Sequence, residues 1–465
     1  MTNYYREHKA LFLWLLIFFV LLAFTLNNTI PYKGDESYYL VSALNMIKTG
    51  EYFVPYYYNQ PRFQKPILAY WLTVLGYKIF GIHLWSGRLP FLILSLLLLV
   101  LIYRFAFLVI NDKKFAFLNV VLLSSSTMYI LFSRAAMTDL LLTFFSTLSL
   151  YFFYKAIVCP DKIKRYYFYA YVSMGFAFLS KGWSGFLPAI IMLIYLFLFK
   201  PENFKKYVLY LFHPLNIVTV CTISFSWYLY VFITHKEIFL SQLKSETSGK
   251  FVISLIGKKI IYYTGVLIRY YFPFTLIGVY LYIKKRIKIL TSIKFLLLYF
   301  FITIFIYIFF ISMYRSRYLL PVFPVVTLII GFIIYKSNLT EIMKKTGIIF
   351  FILQAILLLF IPIVRKEPIK EIAKYVEAKK YSNFSAYNMD KRNMGWLLIF
   401  TAGKVKEYTD GSKYVIIKED DYSKFNSKFK NYTIEKEAVK LKKIKFKNKK
   451  FNKSFKRFLL LRRAK

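Results

Sequence analysis

Runs of roughly 17 to 25 nearly uncharged residues recur along this chain, and that is the length needed to cross the ~30 Å hydrocarbon core of a bilayer. No soluble domain of 465 residues needs so many of them. They place about eleven membrane helices, at about 10–29, 88–110, 115–132, 138–156, 165–180, 184–199, 207–233, 261–283, 294–312, 318–335 and 346–364. The composition agrees, at 58% hydrophobic and 21% aromatic residues. The expected fold is an all-α polytopic membrane protein.

A net charge of +43, from 65 Lys and Arg against 22 Asp and Glu, raises the question of nucleic acid. In a membrane chain that charge belongs to cytoplasmic loops and to side chains snorkelling at helix ends, so the partners expected are membrane lipids and not nucleic acid. Only two cysteines occur, Cys159 in an expected cytoplasmic loop and Cys221 within a membrane helix, which argues against a disulfide or a thiolate metal site. The first apolar segment lacks a small-residue cleavage site and reads as a retained anchor.

Basic loops alternate with nearly uncharged turns. Loops at about 111–114, 162–165, 200–206, 284–294 and 336–345 are rich in Lys and Arg, and the positive-inside rule makes them and the N-terminus cytoplasmic. Two long segments then lie outside, about 29–87 and 234–259. The first contains two stretches, 38–48 and 67–80, that read as short interfacial helices. Residues 1–365 form the expected membrane domain, with no internal repeat. Residues 366–465 form the expected basic external tail, a small α/β domain or partly disordered, with a helix near 371–380, a strand at 414–418 and a Lys-rich end from Lys440 that is expected to be disordered or surface-bound.

Acids are scarce: eleven precede residue 366, and five of those fall in basic cytoplasmic loops where a solvated ion pair explains them. Asp35, Glu36 and Asp139 stand outside, close to membrane helix ends, where a carboxylate needs a partner or a task. Each has a structural reading as well. Asp35 and Glu36, in YKGDESYY, suit the N-terminus of a helix, and Asp139 can cap the helix after Thr138 or pair with Arg134. Lys65, Arg315 and Arg317 can be interfacial snorkels. Taken together, external carboxylates with Lys65, Arg88, Arg315 and Arg317 offer a base and an anion site, the two needs of glycosyl transfer from a phosphate-linked sugar. No Gly-rich phosphate loop is present, and nucleotide sugars are not expected on this face, so the donor would arrive on a lipid.

The ordered motifs resemble those of the GT-C membrane glycosyltransferases, in particular the aminoarabinose transferase (ArnT) and protein O-mannosyltransferase-like group. The acidic pair of YKGDESYY is followed by Phe63-Gln64-Lys65-Pro66-Ile67 and Tyr70-Trp71-Leu72, then FGIHLWSGRLP ending at Arg88-Leu89-Pro90. SRAAMTDLLLTFF carries Asp139, FLSKGWSGF carries Lys181, and SWYLYV and SRYLLPVFP (Arg317, Tyr318) complete the series over about residues 5–335. The resemblance implies that Asp35 is the general base, that Glu36 supports that site and that Asp139 orients acceptor or side chain. It also implies that Lys65, Arg88, Arg317 and Tyr318 bind the phosphate of a polyprenyl-linked sugar, with Lys181, Glu246 and Lys250 lining the acceptor side. The reaction would invert the anomeric carbon, and the acceptor would be a lipid (lipid A), a glycan or a protein.

Two departures concern metal. The family has Glu where this chain has Gln64, and a Glu-His-containing stretch where this one reads Glu246-Thr247-Ser248-Gly249-Lys250-Phe251. Both losses remove ligands, so a divalent metal is doubtful and no cofactor is expected with certainty. The rival reading is a polytopic transporter or flippase of lipid-linked glycans, disfavoured by the absence of a repeat and by chemistry placed in external loops. The expected location is the cytoplasmic (inner) membrane.

Overall fold

A computed structural model describes residues 2–28, 35–247, 255–288, 290–311, 314–364, 367–381, 384–410, 412–447 and 450–463. Helices occupy every one of the expected spans, because a backbone surrounded by apolar side chains in lipid must bond within itself. Five helical segments are long and apolar enough to cross a membrane: Leu84–Ile110, Thr138–Val158, Phe204–Glu246, Ser316–Lys336 and Thr340–Phe360. Two more are bent pairs, Lys113–Ser124 with Thr127–Ser133 at 72° and Ile256–Tyr270 with Phe274–Lys285 at 103°. The remaining expected spans are helical but shorter or more charged: Lys9–Ala23, Ile163–Lys181, Trp183–Phe199 and Ile293–Phe309.

In the basic loop after Leu84–Ile110, Asp112 caps the next helix, its carboxylate accepting from the Lys114 and Phe115 amides at 2.6 and 3.1 Å. This acid therefore has the structural role expected of its loop.

The segment 35–80, between the first two expected spans, folds into the helix Asp35–Thr49, a short hairpin pairing Tyr56–Tyr57 with Gln60–Pro61, and the helix Leu68–Phe80. The Asp35 helix buries most of its length, from Glu36 to Met46, which suits its nearly continuous small and apolar sequence SYYLVSALNM. It is thus a packed element of the protein.

Two expectations are corrected. The membrane helix expected to end at 233 instead runs on into the segment expected outside, as the helix Pro214–Thr247 with a kink at His235. Phe239, buried past the kink, holds this extension against Phe63 and Tyr228. Lys440 onward is not irregular: Tyr432–Lys447 and Lys450–Arg463 form an antiparallel pair. Apolar residues alternating with lysine, as in IKFK, give the period of two that a strand requires and that a bare count of lysines conceals.

The residues from Pro368 onward form an α/β unit. Its sheet runs, in spatial order, Lys406–Glu407, Phe384–Ala386, Tyr414–Lys418, Lys450–Arg463 and Tyr432–Lys447. The first three are parallel and the rest antiparallel. The helix Pro368–Ala378 lays Ile369, Ile372 and Val376 on Phe384, Ile416 and Leu460. The helix Lys391–Phe400 packs on the Asp35 helix at Gly395, where an added Cβ would lie only 3.0 Å from the Tyr57 hydroxyl and 3.5 Å from Ser37 Cβ. Lys48 Nζ also donates to the Gly403 carbonyl at 2.8 Å, and Lys370 to that of Asn27. The unit is thereby seated on the segment that holds the Asp35 helix.

Candidate active site

The helix starting at Asp35 presents its two acids to opposite surroundings. Glu36 is wholly buried and accepts from Arg88 Nε and Nη2 at 2.7 and 2.8 Å, and from the Ala136 amide at 2.9 Å. Arg88 Nη1 donates to the Leu26 and Asn28 carbonyls. This bidentate pair and its backbone partners thus tie the ends of four helices together. A phosphate has no surface from which to reach this guanidinium.

Asp35 faces the other way, with its side chain 35% exposed. Arg317 donates to its Oδ2, and Arg315 Nη1 stands 3.5 Å from the same atom. Both arginines come from the residues leading into the helix Phe323–Lys336, so the pairing closes the start of the Asp35 helix against a helix some 280 residues later. The Nε atom of Arg317 is buried and has no hydrogen-bond partner among the described residues.

Asp139, in the first turn of Thr138–Val158, is buried and held by Lys181 at the end of Ile163–Lys181. Lys181 Nζ lies 4.8 Å from the centroid of the Tyr318 ring. Asp139, Glu246, Arg315 and Arg317 are all within electrostatic reach of the Tyr318 hydroxyl. Lys65 Nζ donates to Glu246 Oε2 at 2.9 Å, both groups partly exposed. Asp35, Asp139, Lys65, Lys181, Glu246, Arg317 and Tyr318 are therefore drawn into one neighbourhood. Glu36 and Arg88 stand behind it as a clamp, and Lys250 lies outside the described residues.

Arg62 was not among the residues singled out from sequence. Its guanidinium carbon lies 4.2 Å over the Tyr38 ring and 5.9 Å from that of Tyr39, and Nη1 donates to Gln64 Oε1 at 3.3 Å. Burial disfavours its charge, but Tyr70, Tyr39, Tyr38 and Asp35 outweigh that and raise its pKa above the ordinary arginine value. Its Nε, like that of Arg317 and the Tyr70 hydroxyl, is buried without a partner among the described residues. The backbone around Arg62 is fixed by Gln242, which accepts from the Phe63 amide and donates to the Pro61 carbonyl, both at 2.8 Å. Proximity to Lys65 in sequence was the available signal for Arg62; nothing in the sequence marks Gln242.

For a metal the donor set is poor. No group of three or more His, Cys, Asp or Glu side chains converges among the described residues. Gln64 is engaged by Arg62 and Glu246 by Lys65. What the neighbourhood offers is two solvent-reachable carboxylates, Asp35 and Glu246, set among cations, and Asp35 is the one flanked by two arginines: a base beside an anion site.

The family described as dolichyl-phosphate-mannose-protein mannosyltransferase matches residues 64–235. A protein of Aquifex aeolicus is 34% identical over 234 residues, which are 50% of this chain and 46% of that one. The undecaprenyl phosphate-alpha-4-amino-4-deoxy-L-arabinose arabinosyl transferase 1 of Proteus mirabilis is 30% identical over 205 residues, 42% of this chain and 37% of its own length. The matched stretch thus covers less than half of each relative. In fold the likeness extends over nearly everything. The crystal structure of ArnT from Cupriavidus metallidurans bound to undecaprenyl phosphate superposes with a TM-score of 0.75 at 14% identity, over 97% of this chain and 98% of that one.

Proposed function

We propose that this chain, a polytopic membrane protein with the GT-C fold of ArnT, is an inverting glycosyltransferase that takes its sugar from a polyprenyl phosphate and works on the outer face of the cytoplasmic membrane. The carrying observation is the separation of its carboxylates. Glu36 and Asp139 are buried and committed to Arg88 and Lys181, whereas Asp35 is reachable and flanked by Arg317 and Arg315, with the Arg62 charge nearby. The names of the curated arabinosyl transferases and the undecaprenyl phosphate bound to the ArnT crystal support a polyprenyl phosphate donor.

In this reading the donor phosphate lies against Arg317, Arg62 and Lys65, with the Tyr318 hydroxyl as a further donor. A phosphate drawn to Arg317 competes with Asp35 for that cation and leaves the carboxylate free to act as a base. Asp35 then takes the proton from the acceptor hydroxyl, and the acceptor oxygen attacks the anomeric carbon from the face opposite the phosphate. The bond from that carbon to the phosphate oxygen breaks, and its electron pair leaves on the polyprenyl phosphate. The fixed cations stabilise the charge that develops there. Lys181, held by Asp139, lies over the Tyr318 ring and so keeps the cationic wall in place. Arg88 serves the site through Glu36, not by touching the donor.

Mass spectrometry of lipids co-purifying in mild detergent tests the donor assignment. Wild type should retain a glycosylated polyprenyl phosphate, and Arg317→Ala and Lys65→Ala should lose it. Equal retention by the three proteins would remove the phosphate site from these residues. Transport of lipid-linked sugar by reconstituted protein, unaffected by Asp35→Asn, would point to a flippase instead.

A further inference from the structure

Asn111, Lys200 and Arg286 each close a helix on left-handed backbone, after Leu84–Ile110, Leu187–Phe199 and Phe274–Lys285. The amides of Asn111 and Lys200 donate to the carbonyls four residues back, at 2.6 and 3.0 Å. Those of Arg286 and Ile287 make no such bond among the described residues. A helical residue followed by a left-handed one turns successive amides to one side, and the concavity so formed suits an anion. A hollow of about 470 Å³ lies at this turn, lined by Tyr282, Ile283, Arg286, Ile287 and Lys288.

The charges around the hollow favour an anion too. Lys284, Lys285, Arg286 and Lys288 fall within five residues. Lys284 bonds to the Tyr280 hydroxyl at 2.9 Å, and Lys285 donates to the Ser337 carbonyl at 2.9 Å, which pins this helix end to that of Phe323–Lys336. Arg286 and Lys288 are exposed, and no carboxylate among the described residues pairs with either. The acids of the adjoining loops are committed elsewhere, Asp112 to Tyr335 and Glu341 to Lys344. The helix end adds the negative pole of its dipole, which four cations outweigh.

The rest of the helix says what carries the anion. Leu276, Val279, Tyr280 and Ile283 are exposed and recur at the spacing of one helical face, which ends at the hollow with Ile283, 69% exposed. We infer that the hollow binds the headgroup phosphate of an anionic phospholipid, whose acyl chains lie along that apolar stripe. The positive-inside rule predicts this end to be cytoplasmic, where anionic lipid attracts basic segments beside the membrane. The site uses none of the residues around Asp35 and stands independently of the transferase reading.

Native mass spectrometry of the full-length protein, released from detergent micelles with added phosphatidylglycerol or phosphatidylcholine, tests it. Wild type should hold phosphatidylglycerol in preference to phosphatidylcholine. Arg286→Gly with Lys288→Gln removes both charges and suits the left-handed backbone. Its unfolding temperature should match wild type, while its affinity for the first phosphatidylglycerol falls about tenfold or more. Lys205→Gln with Lys206→Gln takes the same charge from another basic loop and should leave that affinity unchanged. Equal losses in the two double variants would make the attraction diffuse and overturn the site. Wild type that retains no phosphatidylglycerol, or retains both lipids equally, would overturn it as well. Inorganic phosphate in excess should not displace the lipid, and displacement would make the hollow a site for soluble phosphate and reject the phospholipid.

Discussion

At the scale of single residues, two neighbouring acids separate by environment. Asp35→Asn keeps the shape of the side chain and its place at the helix start but cannot take a proton. Transfer should fall by about 10²- to 10⁴-fold, the usual worth of a positioned base, while co-purifying donor stays at the wild-type level. Loss of donor and activity together would instead make Asp35 a binding group. Glu36 should behave differently, because its partner is the buried Arg88. Arg88→Met leaves an unpaired buried carboxylate and should cost about 3–5 kcal/mol. Arg88→Met with Glu36→Leu should recover much of that in thermal unfolding. A stable Arg88→Met protein that no longer holds donor would restore Arg88 to the phosphate site. The acids were legible in the sequence because so few lie outside the basic loops. The commitment of Arg88 was not, since a contact between residues 36 and 88 leaves no local mark. Arg62 was hidden for a related reason, its value coming from rings and amides that only folding gathers.

At the scale of elements, most helices could be read directly, because length and apolarity leave a membrane segment few alternatives. The misread stretches are those whose packing partners are distant. The extension past His235 carries Lys and Glu and looks like a loop until Phe63 is placed against it. The same extension positions the site, since Gln242 grips the backbone on both sides of Arg62. Gln242→Ala removes both hydrogen bonds at a partly exposed position, so it should lower donor retention about tenfold with little change in unfolding temperature. Wild-type retention would show that the hairpin needs no such grip. A sharper case is Gly76, where an added Cβ would fall 2.1 Å from the Ser86 carbonyl oxygen. Gly76→Ala must push the helix Leu68–Phe80 off Leu84–Ile110, at about 1–3 kcal/mol or more for overpacking. Its unfolding temperature should drop below that of an exposed-site control such as Leu75→Ala, and equal temperatures would mean the two helices approach less closely than they do here.

At the scale of the whole molecule, the seat of the C-terminal unit constrains how the chain crosses the membrane. Lys48 to Gly403, Lys370 to Asn27 and the close approach at Gly395 put the unit on the same side as the Asp35 helix. The number of crossings between residues 49 and 368 must then be even. The seven spans that satisfy length and composition, bent pairs included, all lie in that interval and make an odd number. Adding Ile163–Lys181, Trp183–Phe199 and Ile293–Phe309 gives ten, the number the apolar runs supply after the first. Their shortness has a physical remedy, since flanking lysines can snorkel and the bilayer can thin at modest cost. The positive-inside rule, applied to the alternating basic loops, predicts which side is cytoplasmic. In a chain freed of Cys159 and Cys221, a membrane-impermeant maleimide should label Asn59→Cys, Trp183→Cys and Lys424→Cys in intact cells. Asp161→Cys and Glu202→Cys should react only after permeabilisation. Labelling of Glu202→Cys from outside would mean that Trp183–Phe199 does not cross, and parity would then require a second helix of the interval to stay on one side.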